Sequence, residues 1–96
     1  MEAVRNRAVS IDDLANAMTS DEYNRAFEFY KFLQGLTKCT NGILQIEREK
    51  FLKLAATMLE CSEVEAYTII NKMRRYGWIK AWDSHFVVVN VTNNKG

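Results

Sequence analysis

The sequence predicts an α+β domain, mainly helical with one small β-sheet, in the order helix, helix, strand, helix, helix, strand, strand. Three observations carry this. Up to Tyr76 most segments repeat their apolar residues at helical spacing, and two of these segments open on the Ser/Thr-x-x-Glu pattern of a capping box. After Gly77 the chain turns to β-branched and aromatic residues.

Residues 1–9 read as an N-terminal arm and residues 10–18 as a short helix. Ser10 stands at its N-cap, Asp12 and Asp13 occupy the first turn, and Ile11, Leu14, Ala15 and Met18 keep helical spacing. Thr19, with Glu22 three residues on, starts the next helix, expected to reach Leu36. Tyr23, Ala26, Phe27, Tyr30 and Leu33 make its apolar stripe, and Phe29, Phe32 and Leu36 widen it beyond one side of a small domain. Either the chain's own elements cover both sides, or Phe29, Phe32 and Leu36 form a dimer interface. Exposed apolar patches mark interfaces, which favours the dimer.

The Thr, Asn and Gly content of "TKCTNG" indicates a loop, and Gly42 leads into "ILQI", a strand over residues 43–46. From Glu47 the spacing of Phe51, Leu54, Ala55, Met58 and Leu59 predicts a helix to Leu59 or Glu60, with Lys50 and Lys53 on its wetter side. Ser62 and Glu65 form the second capping box; Ala66, Ile70 and Met73, helped by Ile69, point inward, and Gly77 ends the helix. "WIKAW" and "HFVVVNV" read as a β-hairpin through Asp83 and Ser84. Strict alternation sets Lys80, Trp82 and His85 on the face opposite Ile79 and Ala81. The domain therefore spans residues 10–92, and residues 93–96 are a frayed tail.

Composition narrows the function classes. The chain is 96 residues long, 48% hydrophobic, with five Phe, four Tyr and two Trp, which is enough for one folded core. A formal charge of +1 provides no broad positive field, so any polyanion footprint must be local. Before Asn41 there are five Lys/Arg against six Asp/Glu; from Asn41 onward there are eight against six, which favours the second half. Cys39 and Cys61 are far apart and only His85 could join them, so no metal site is expected. No apolar run suits a signal or a membrane span, and the expectation is an intracellular, cytoplasmic protein, nucleoid-associated if it binds DNA. There is no Gly-rich phosphate loop and no nucleophile with its base. A catalytic role, a cofactor and a small-molecule ligand are therefore not expected.

Ala56, Leu59, Glu60, Cys61, Ser62, Ala66, Ile70, Met73, Gly77 and Ile79 fall where helix-turn-helix proteins carry Ala, Leu, Gly, Val, Ser, Val, Leu, Leu, Gly and Ile. With a strand before and a hairpin after, the stretch over residues 42–91 resembles the winged helix-turn-helix superfamily. The pattern has a physical basis: Ala56 lets two helices cross closely, Cys61 plugs the turn, Ser62 caps, and Ile70 with Met73 anchors. Glu60 departs from the customary turn glycine. That implies a left-handed glutamate or a turn of different geometry.

The resemblance implies a recognition helix over residues 62–76 lying in the major groove, and a hairpin wing on the backbone or minor groove. On the helix, Glu63, Val64, Tyr67, Thr68, Asn71 and Lys72 are the exposed candidates. Asn71 would pair with adenine, Thr68 would meet a thymine methyl or a phosphate, and Glu63 would accept from cytosine. Lys72 and Arg75 suit phosphates, and Arg74 joins them in a basic cluster with Lys80, although a solvated C-terminal turn accounts equally for Arg74 and Arg75. Lys80 and His85 would project from the wing toward the backbone or minor groove, and a structural or solvated role is the other reading of His85. Trp82 has two readings: packing across the strands or against a partner protein, or touching nucleic acid from the wing. Glu65 reads as a capping residue. Arg5 and Arg7 of the arm could also reach a groove.

The resulting expectation is a dimeric, sequence-specific double-stranded DNA-binding protein, most simply a small transcriptional regulator. Two leading glutamates, near-neutral charge and Trp82 keep an alternative open: a winged-helix protein-interaction module in a replication, segregation or chromatin assembly. A viral or plasmid accessory protein of the same fold is the third reading.

Overall fold

Helix α1 (Ser20–Leu36) starts where its capping box directs: Thr19 Oγ1 accepts from the Glu22 N–H at 3.1 Å, and Glu22 Oε1 accepts from the Thr19 N–H at 3.1 Å. The computed structural model describes residues 17–91. The arm with Arg5 and Arg7, most of the helix expected over residues 10–18, and the tail lie outside them; Ala17 and Met18, at the edge, are not helical. After α1 come a single 3-10 turn (Lys38–Thr40), β1 (Ile43–Gln45), α2 (Arg48–Leu59), α3 (Glu63–Arg75), β2 (Ile79–Trp82) and β3 (Phe86–Val89). Among the described residues this is an α+β domain of three helices and one three-stranded antiparallel sheet, ordered β1-β3-β2. No described helix is long and apolar enough to cross a membrane.

The core forms where three helical stripes meet one sheet face. Helix α1 buries Ala26, Phe29, Tyr30 and Leu33; α2 buries Phe51, Ala55 and Leu59; α3 buries Ala66, Ile69, Ile70 and Met73. Ile79, Trp82, Val87 and Val89 complete it from the sheet. Phe51 is central, its ring 5.8 Å from those of both Phe29 and Trp82. Burying each such side chain contributes roughly 1.5–3 kcal/mol.

Phe29 thus belongs to the core and is withdrawn from the expected dimer interface, whereas Phe32 and Leu36 remain exposed. The stripe through Ala26, Phe29, Tyr30, Leu33 and the fully buried Thr37 is the inward one. Tyr23 and Phe27, expected inside, instead lie at its margin against Trp78, which also stacks on Tyr30 at 4.9 Å between ring centres.

Each helix stop has its own device. Thr37 closes α1 by donating both its N–H and its hydroxyl to the Leu33 carbonyl. Asn41 and Gly42 then take left-handed conformations that swing the chain into β1. A side chain at Gly42 would press into the Val89 carbonyl oxygen, so the close approach of β3 requires glycine there. Helix α2 ends on Glu60, left-handed at φ 59°, with Cys61 donating to the Ala56 carbonyl and Glu60 to that of Thr57. These are the bonds of a Schellman end. Arg25 of α1 reaches across to the Leu59 carbonyl at 3.0 Å, placing a cation where the α2 dipole is negative. Helix α3 has the second capping box, Ser62 with Glu65, and Gly77 follows it at φ 86°.

The hairpin departs from strict alternation. Ile79 pairs with Val89, but Ala81 pairs with Val88, so one extra residue, a β-bulge, is taken up around Lys80. Ile79 and Trp82 therefore both face the core, three positions apart. Trp82 is not on the outer face with Lys80.

Candidate nucleic-acid interface

Arg74 and Arg75 lie in the last turn of α3, and the bulge turns Lys80 outward from the neighbouring strand. Together with Asn71 and Ile79 they line one open hollow of about 460 Å³ between helix and hairpin. No carboxylate is among these lining residues, and none of the three cations joins an ion pair among the described residues. Like charges held together, with no counter-ion among the described residues, favour a positive local potential on a chain of net charge +1.

The outward face of α3 continues from it. Asn71 donates to the Tyr67 carbonyl at 3.1 Å and accepts from Arg74 at 3.4 Å; Thr68 donates to the Val64 carbonyl at 3.2 Å. Both polar side chains are folded onto their own helix, and a base edge would have to draw them off. Glu63, Val64, Tyr67 and Thr68 are exposed. Glu65 is not a free carboxylate: it accepts from the Ser62 N–H at 3.1 Å and the Ser62 hydroxyl at 3.2 Å, as a capping residue does.

Two residues expected here are engaged elsewhere. Lys72 holds Glu22 of α1 at 3.2 Å with its side chain 12% exposed, so it locks α3 to α1. Trp82 is 7% exposed, packed against Phe51 and Tyr67 with the Arg48 guanidinium 4.0 Å over its ring. It supports the hairpin from beneath and presents no surface. Its indole N–H has no hydrogen-bond partner among the described residues, an arrangement that costs about 1–3 kcal/mol. His85 is exposed at the hairpin tip, but it lines a different hollow, with Ile43, Gln45, Phe86 and Val88.

The chain is 44% identical over 81 residues to ORF98a of Acidianus two-tailed virus, a protein described as uncharacterized; the match covers 84% of this chain and 83% of that one. It belongs to the ORF98a family. No family model matches the chain. No solved structure matches it. Because the match runs over most of both chains, the ORF98a relationship concerns the domain as a whole rather than one motif.

In this member of the ORF98a family three positioning side chains escape sequence reasoning. Arg25 ties α1 to the end of α2, Glu22 ties it to α3, and Arg48 donates to the Trp82 carbonyl at 3.2 Å while covering its ring. All three act across more than thirty residues. The local sequence shows Glu22 only as a cap. The Thr19 N–H bond holds the Glu22 carboxyl below its usual range; burial opposes this, and the bond and charge of Lys72 add to it. Burial and the nearby Glu65 push the Cys61 thiol up, against an opposing Arg25. Cys61 packs against the core from the turn.

Proposed function

We propose that the domain is a winged helix that binds double-stranded DNA, with α3 in the major groove and the β2–β3 hairpin as the wing on the backbone or minor groove. The observation that carries this is the hollow in which Asn71, Arg74, Arg75 and Lys80 converge from helix and hairpin with no carboxylate in its lining. Phosphate oxygens need such unpaired cations, and an amide beside them can address a base edge. Support also comes from the α2–turn–α3 geometry, whose left-handed Glu60 occupies the place of the customary glycine.

In this reading Arg74, Arg75 and Lys80 hold phosphates, Asn71 and Thr68 read bases, and Tyr67 and Glu63 flank the readout. Lys72 and Trp82 position the parts and touch no DNA. The protein acts by binding, as a small regulator or as a viral or plasmid accessory protein; kinship with a protein of a virus supports the second context. Fluorescence anisotropy on a labelled random duplex across a salt series tests it. Affinity should fall steeply with salt, and the Arg75→Ala, Lys80→Ala double variant should flatten the log–log slope by about two. Absence of binding at low salt would refute the proposal.

One observation favours a protein partner instead. Val64 is 78% exposed beside exposed Tyr67 and Glu63, an apolar and acidic surface on the leading turns of α3. On this second reading Val64→Asp abolishes partner capture and duplex DNA has no effect.

A further inference from the structure

The outer face of the sheet is built against the usual rule. An antiparallel sheet with one face on the core should present polar residues on the other. Here Ile43, Val88 and Phe86 lie on the outer face with Gln45, following the register Ile43↔Val88 and Gln45↔Phe86, and Ala81 pairs with Val88 beside them. Ile43 is 47% exposed and Phe86 37%. Around the corner, the 50% exposed Leu36 of α1 lines a second hollow with Thr40, Ile43, Leu44 and Gln45. The two hollows share Ile43 and Gln45 and so flank strand β1 on either side.

That strand is also an open edge. The Val89 N–H bonds the Gly42 carbonyl and the Ile46 N–H bonds the His85 carbonyl. Antiparallel alternation then turns the Ile43 and Gln45 backbone groups away from β3, where no other described strand lies. Among the described residues only the Ile43 carbonyl has a taker, the Thr40 hydroxyl at 2.6 Å, and an oxygen with two lone pairs can accept again.

We propose that a second copy of this chain docks here, β1 against β1, antiparallel about a two-fold axis through Leu44. Ile43 of each copy then lies opposite Gln45 of the other, and each pair exchanges N–H and C=O bonds. An interface between identical copies requires the same patch on both sides. This edge meets that condition, because its two open residues are symmetric about Leu44. Charge argues for the same occupant. Neither hollow is lined by Lys, Arg, Asp or Glu, so within them a second copy sets no such charge against its like, and a polyanion finds no Lys or Arg there. The apolar side chains of Ile43, Leu36, Phe86 and Val88 supply the burial that a three-residue strand lacks.

Sedimentation equilibrium on the full chain across the micromolar range tests the proposal, with circular dichroism to verify folding. The native chain should be dimeric. Ile43→Lys and Gln45→Glu, both at exposed positions, should each weaken the dimer by about ten-fold or more, since each sets a charge in an apolar contact. Mixing Ile43→Lys chains with Gln45→Glu chains should restore dimers, because this register sets position 43 opposite position 45. If Ile43→Lys fails to fold, Ile43→Thr keeps the strand propensity and should still weaken the dimer. A native chain that stays monomeric overturns the proposal. So does a dimer indifferent to both substitutions, a dimer lost only on Phe32→Lys, or a mixture that fails to recover while both variants are folded.

Discussion

Two hollows of the same volume, about 460 Å³ each, lie on this small domain and differ in almost everything else. The one between α3 and the hairpin is lined by Asn71, Arg74, Arg75, Ile79 and Lys80; the one on the sheet is lined by Ile43, Gln45, His85, Phe86 and Val88. One gathers cations on a chain with almost no net charge, and the other leaves apolar side chains in water. Volume says nothing of what a surface is for. The chemistry of the lining separates the two, and the proposed duplex and the proposed second copy follow that difference.

The widest break in that contrast comes from beneath the hairpin. Trp82 contacts α2 through Phe51 and α3 through Tyr67, so Trp82→Ala should destabilise the fold by about 3–5 kcal/mol and disturb both hollows. Trp82→Phe should lose less than half of that in urea denaturation, since it keeps most of the ring contact and removes the N–H that has no partner. Equal losses in the two variants would contradict the packing role.

A narrower break should fall mainly on the sheet hollow. Gly42→Ala places a side chain against the Val89 carbonyl at a φ of 92°, for a loss of about 2–3 kcal/mol centred on the β1 junction. At temperatures where the variant is folded, duplex binding should stay within about two-fold of the native value, because the shift reaches β2 only through the Val89–Ile79 pair and the cations are carried by other residues.

Smaller effects sharpen the comparison from the turn and from α1. Glu60→Gly relieves a left-handed glutamate and should stabilise by about 1 kcal/mol, with both surfaces unchanged. A thermal melt showing destabilisation would mean that Glu60 makes a contact beyond its backbone. For Glu22 the carboxyl is lowered in the folded state, so its contribution is fully present above the unfolded value of 4.5 and is lost as pH falls through the lower folded value. Acid melts of the native chain should therefore lose stability below about pH 4.5 more steeply than melts of Glu22→Gln.

Most element starts and stops were legible because their causes are local. Two Ser/Thr-x-x-Glu boxes and Gly77 mark the limits of α1 and α3 within a few residues of chain. The bulge at Lys80 was not legible: nothing in "IKAW" distinguishes strict alternation from one extra residue, and that residue moves Trp82 from surface to core. The breadth of the α1 stripe misled for a related reason. Phe29 and Phe32 look alike in sequence, and only the direction from which α2 approaches decides that Phe29 meets Phe51. In the candidate site, Lys80 follows from hairpin polarity, whereas Asn71, Arg74 and Arg75 come through the helix-turn-helix resemblance. The engagement of Lys72 follows from neither, because its partner Glu22 lies 50 residues away and was already explained as a cap.

The two cysteines carry a practical consequence. Cys61 sits in the α2–α3 turn with its thiol pushed up by burial and by Glu65, so little thiolate exists there at neutral pH. Cys39 is exposed on the 3-10 turn, four residues before β1. A thiol-reactive dye at neutral pH should therefore attach to Cys39 first, putting a reporter beside the open strand edge and leaving the helix turn untouched, with no residue engineered.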